Sequence, residues 1–166
     1  MASRLAEHFR APWIPEFARV YAERVKRPLT ADDVVPVAIG ELALVDGAAN
    51  EGLLILDTDL LSTVVYSRYY YGSCPEWIEV SAAARLADLY LLMDVDVPWE
   101  RDAVRDSAEV REALLGAFTS ALAEFAARFV KISGDWEARF AAAVREIGSR
   151  EGAKTRRSSP QSRDSA

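Results

Sequence analysis

An unbroken apolar run ending in two aspartates constrains this chain more than any other feature: Leu53-Leu54-Ile55-Leu56, then Asp57-Thr58-Asp59. Four apolar residues in a row carry no polar alternation. A strand made of them needs both faces covered, as in a parallel sheet between helices. Polar residues at the carboxyl end of such a strand stand where open α/β sheets bind ligands. Two carboxylates two positions apart at that end can hold a magnesium ion and poise a hydroxyl for attack. The same residues equally suit a plain turn and helix N-cap, because Asp and Thr both cap well. Spacing alone leaves both readings open.

The rest of the chain repeats the strand-then-helix alternation. Met1–Phe9 reads as a helix already in progress, and Ala11–Pro15 as an extended segment, since the residue before proline is pushed out of the helical region. Val34–Ala49 has helical periodicity, with Pro36 tolerable if Asp32 or Asp33 caps the first turn. After Asp59 a helix should carry Leu60, Leu61, Val64 and Val65 and then a tyrosine cluster. Gly72-Ser73-Cys74-Pro75 breaks it before a helix over Glu76–Ala87. Leu89–Met93 and Phe129–Ile132 are further buried-strand signals, with a helix over Glu109–Ala127 between them and Ser133-Gly134-Asp135 opening a last helix. This order predicts an α/β fold, a parallel sheet layered between helices.

At 166 residues, 51% hydrophobic and 28% charged, the chain is expected to form one globular domain. Residues 149–166 hold five basic side chains against two acidic ones. That leaves a charge of −9 on residues 1–148, out of −6 overall. The acidic body argues against a DNA-binding surface, and the Ser- and Arg-rich end is expected to be a disordered basic tail. No apolar run approaches the ~20 residues that span a bilayer. The lone Cys74 fits a reducing, cytoplasmic compartment, and the lone His8 excludes a multi-histidine metal site.

A set of short motifs points further. In order they are Pro15-Glu16-Phe17-Ala18-Arg19, Leu56-Asp57-Thr58-Asp59, Tyr66-Ser67-Arg68-Tyr69-Tyr70-Tyr71-Gly72, Pro75-Glu76-Trp77, Asp88-Leu89-Tyr90-Leu91-Leu92, Val97-Pro98-Trp99, Asp102 with Arg105, and Ile132-Ser133-Gly134-Asp135-Trp136. Together they resemble the ribosylnicotinamide kinase domain of NadR-type proteins, a P-loop group often labelled AAA-type. The resemblance implies a P-loop kinase-like three-layer fold that uses ATP and Mg2+ to phosphorylate the ribose 5′-hydroxyl of nicotinamide riboside, or of a similar nucleoside, in NAD salvage. It implies Asp57 at the magnesium and Asp59 beside the acceptor hydroxyl, both catalytic. Glu16, Arg19, Tyr66 and Trp77 would bind the substrate, and Arg101 and Arg105 would close over phosphate from a lid. Ser133, Gly134 and Asp135 would pass the adenine. The alternatives are a non-catalytic nucleotide- or ligand-binding relative, or a kinase for another nucleoside.

One part of the family pattern is missing: no G-x-x-x-x-G-K-S/T occurs in these residues. That loop cradles the β- and γ-phosphates with backbone N–H groups and a lysine. The family helix that follows it carries L-A-x-x-L-A-E-H-F, which matches the text ending at Leu5-Ala6-Glu7-His8-Phe9. The resemblance therefore implies that Met1 is an internal start, that the first strand and its phosphate loop lie upstream, and that ATP turnover by the chain as written is slight. The missing strand belongs between those ending at Asp57 and near Asp94, so two buried strands are expected to show unpaired backbone edges. Each orphaned group there costs ~1–3 kcal/mol.

Overall fold

The computed structural model describes residues 1–48, 52–96 and 108–158. Seven helices and four short strands alternate among them. α1 (Ala2–Phe9) is followed by β1 (Trp13–Ile14), α2 (Phe17–Val25), a 3-10 turn (Ala31–Asp33) and α3 (Val34–Ala48). Then come β2 (Ile55–Leu56), α4 (Leu60–Tyr71), α5 (Glu76–Ala84), β3 (Tyr90–Met93), α6 (Ala108–Glu124), β4 (Phe129–Ile132) and α7 (Trp136–Ser158). α7 continues past residue 148, where the sequence led us to expect a disordered tail; residues 159–166 lie outside the described residues.

Local chemistry explains the boundaries. Pro12 and Pro15 flank β1 and hold it extended. α3 is entered through a capping box with Thr30 as N-cap, not through Asp32 or Asp33 as cap. Asp33 is the third residue of the 3-10 turn and accepts the Thr30 N–H at 2.8 Å. Pro36 is the third residue of α3, directly after the 3-10 turn. α4 closes on Gly72, whose φ of +80° is the left-handed conformation glycine adopts without strain.

Among the described residues the parallel sheet is divided in two. β1 pairs in parallel with β2, and β3 with β4, and among the described residues no ladder joins the pairs. β2 and β3 are the inner strands. Ile55 of β2 and Leu91 of β3 pack into one cluster with Leu5 and Ala6 of α1 and Ala143 and Ile147 of α7. On the opposite face Tyr90, Leu92 and Phe129 pack with Leu61 and Val65 of α4 and with Ala121 and Leu122 of α6. β3 is thus covered on both sides, its successive side chains going to opposite faces. α3 and α5 form an outer layer on α4 through Val34, Ala38, Val64 and Ile78.

Hydrogen bonding shows which way the inner edges face. Ile55 and Asp57 donate to Pro12 and Ile14 of the β1 segment, and Tyr90 and Asp94 donate to Arg128 and Ile132 of the β4 segment. In a parallel ladder, alternate residues bond to the same side. Leu54 and Leu56 therefore turn their backbone groups away from β1, and Leu91 and Met93 turn theirs away from β4. Among the described residues no strand pairs with either inner edge.

Candidate functional site

The β1–β2 register sets Ile14 beside Leu56, so the two segments leaving these strands, Pro15-Glu16 and Asp57-Thr58-Asp59, emerge at one edge. Two motifs far apart in sequence meet there. Burial raises the Glu16 carboxyl above its ordinary value; Arg19, 3.6 Å away, pulls it back down, and the Asp57 charge adds to the rise. Arg19 itself is mostly exposed. Asp57 is exposed, and among the described residues no hydrogen bond or ion pair holds its carboxylate. It is free to meet a ligand from solution.

Asp59 is placed differently. Its Oδ1 accepts the N–H groups of Leu61 (3.1 Å) and Ser62 (3.3 Å), capping α4, and its Oδ2 accepts the Tyr90 hydroxyl across the divided sheet. Burial raises its pKa, and the hydrogen bonds oppose that rise. Tyr90 is pushed upward too, by burial and then by the Asp59 charge, so it stays protonated and donates. Of the two aspartates, Asp59 caps α4 and Asp57 is exposed.

Behind this edge lies a carboxylate that the motifs did not single out. Glu41 on α3 is 4% exposed and accepts the hydroxyls of Thr58 (3.2 Å) and Thr63 (2.9 Å). Burial, with Asp59 and Glu16 nearby, pushes it up to about 7 against the pull of the two hydroxyls. The available signal was its place on the buried stripe of α3, after Val34, Val37 and Ala38 at helical spacing.

The β3–β4 edge is a closed knot. Asp94 accepts Ser133 Oγ at 2.9 Å and Lys131 Nζ at 2.8 Å, which hold it below the usual carboxylate range. Gly134 donates its N–H to Asp96 at 2.6 Å. Arg139, 5% exposed, donates to the carbonyls of Gly134 and Asp94 and pairs with Asp96. Asp135 accepts the Ala138 N–H and so starts α7. Gly134 has φ +102°, and a Cβ there would lie 3.0 Å from that of Ala138. In the segment expected to pass an adenine, the Gly134 N–H and the Asp135 carboxylate are therefore already engaged.

The remaining expected residues are spread out. Tyr66 stacks on Tyr70 (6.2 Å, 10°) and edge-on to Phe118 (5.4 Å), so its ring has protein partners. Trp77 stands in the first turn of α5, beyond the far end of α4; the 12 residues of that helix put about 18 Å between its two ends. The structure does not bring Trp77 to Asp57. Arg101 and Arg105 lie outside the described residues.

Residues 1–139 match the model of a family described as AAA domain. The chain belongs to that family. The AAA domain is a nucleotide-binding, P-loop NTPase type whose members generally bind ATP with Mg2+. No curated protein matches the chain. The residues at hand fit that ligand in part. Asp57 of this AAA domain suits magnesium, which takes one or two carboxylates and completes its shell with water and phosphate oxygens. Among the described residues no cluster of three His, Cys, Asp or Glu side chains can hold a metal without such help. Nor does the chain contain the lysine-bearing loop that grips a triphosphate. No helix among them is long and apolar enough to cross a membrane.

Proposed function

We propose that this AAA domain is the acceptor-side part of an ATP- and Mg2+-dependent small-molecule kinase of the ribosylnicotinamide kinase type, working in the cytoplasm on nicotinamide riboside or a similar nucleoside. In this reading the phosphate loop is carried by a strand encoded upstream of Met1, which inserts between β2 and β3. The observation that carries the reading is the division of the sheet: two parallel pairs turn the backbone groups of Leu54, Leu56, Leu91 and Met93 toward an edge with no strand partner among the described residues. A strand there would end beside Asp57, the position from which a following loop reaches the magnesium.

The residues then take distinct parts. Asp57 orients the metal, and Glu16 with Arg19 lines the acceptor side of the same edge. Asp59 fixes the start of α4 rather than offering a free oxygen as base. Such chemistry is mainly positioning and charge neutralisation. The engaged Asp59 and Gly134 favour a second reading, a relative that binds a nucleotide-like ligand without turning it over.

The test is a phosphorylation assay of the chain extended by its in-frame upstream residues, run on a panel of nucleosides. Transfer to nicotinamide riboside, reduced roughly 100-fold or more by Asp57→Asn, is the expected result. Transfer to another nucleoside alone would correct the acceptor. No transfer to any of them, or no G-x-x-x-x-G-K-S/T encoded upstream, would overturn the kinase.

A further inference from the structure

Glu41 occupies a position that helical spacing reserves for an apolar side chain, yet it is among the most buried residues of α3. A carboxylate so placed loses hydration that only good partners replace. Among the described residues its partners are two hydroxyls, on Thr58 between the aspartates and on Thr63 in the first turn of α4, and no cation pairs with it. These bonds join α3, the β2–α4 connection and α4. Asp59 is already fixed by the α4 N–H groups and Tyr90. With Thr58 drawn inward to Glu41, Asp57 is left to point outward, because successive side chains of an extended segment face opposite ways.

We propose that Glu41 is a positioning residue: by holding Thr58 and Thr63 it fixes the connection so that Asp57 faces the open edge. The consequence for catalysis rests on the kinase reading; the clamp itself does not. Full-length chain is compared with Glu41→Leu, Glu41→Gln, Thr58→Val and Thr63→Val by amide hydrogen exchange and by Mn2+-induced broadening of the Asp57 amide.

Glu41→Leu should speed exchange of the Asp57, Leu61 and Ser62 amides by about tenfold or more, with α7 unchanged. The threonine variants should do so to a similar or smaller degree. Glu41→Gln keeps one acceptor oxygen and should restore part of the protection. Broadening at Asp57 should weaken in the same order. Unchanged exchange in Thr58→Val and Thr63→Val overturns the clamp, as does equal acceleration in α7. Should Glu41→Leu fail to fold, the threonine variants decide. Absence of Mn2+ broadening in the unmodified chain counts against Asp57 as a metal carboxylate, while the exchange results still judge Glu41.

Discussion

Two carboxylates about two turns apart are almost equally hidden, Asp33 at 3% exposure and Glu41 at 4%, and their environments push them opposite ways. Asp33 accepts a forked pair of bonds from Arg27 (2.6 and 2.8 Å), the N–H and hydroxyl of Thr30, and the Tyr21 hydroxyl at 3.1 Å. The guanidinium first, and then the Thr30 N–H, hold it far below the usual carboxylate range. Glu41 has two hydroxyls and acidic neighbours, and it rises to about 7. Loss of water is common to both; the donors decide the sign. A cation-paired carboxylate makes a fold device, and a hydroxyl-held one behind the β1–β2 edge is poised to change charge near neutrality.

Replacing Asp33 with Ala should have the largest effect of those considered. It strips the Thr30 capping box and leaves the Tyr21 hydroxyl without its acceptor and Arg27 with only the Pro28 carbonyl among the described residues, so the urea midpoint should fall more than for any other variant here. Stability from Asp33 should be present above its ordinary value of 3.8 and drain away as pH falls below it. Glu41 should behave oppositely. Its folded pKa lies above the ordinary 4.5, so the folded state keeps the proton longer, and stability drops as pH rises from about 4.5 to about 7. Against a Glu41→Gln control the fall should be on the order of 3 kcal/mol, read from urea melts across that range. Parallel pH profiles for the two proteins would erase the contrast with Asp33.

Smaller changes sharpen it. The ring of Phe17 lies directly on Gly40, next to Glu41; a Cβ there would come within 2.1 Å of two ring carbons. Gly40→Ala should force the ring and α2 to shift, at about 1–3 kcal/mol by thermal melt, and should loosen the Glu41 end more than the Asp33 end. Tyr90→Phe should cost least, about 1 kcal/mol, and should leave Asp59 capping α4 with one oxygen unpaired. Equal loss from Tyr90→Phe in the presence and absence of Asp59→Asn would show that the bond carries no stability.

Much of the frame was legible. Leu53–Leu56 and Leu89–Met93 declared themselves by unbroken apolar runs, and Phe129–Ile132 by three apolar residues around Lys131; each became a parallel strand or contained one. The meeting of Glu16 with Asp57 was readable only through motif resemblance, because strand pairing over forty residues leaves no local trace. Glu41 was hidden for a different reason. A glutamate on an apolar stripe looks like surface until Thr58 and Thr63, which satisfy it, are brought across by tertiary packing. Unpaired edges on two buried strands were the expectation from the missing glycine-rich loop, whereas the knot at Arg139 was not foreseen. Nothing in its spacing distinguishes that arginine from the other basic residues of α7.

The inner edges of β2 and β3 carry a liability as well as an opportunity. Leucine- and isoleucine-rich strands whose amides meet no strand partner, as here among the described residues, are templates for other chains, and natural proteins normally blunt them with charge, proline or a covering segment. Kept at high concentration, this polypeptide should therefore tend to recruit copies of itself edge to edge. A short peptide with the pattern of a buried parallel strand should suppress that clumping by taking the place first.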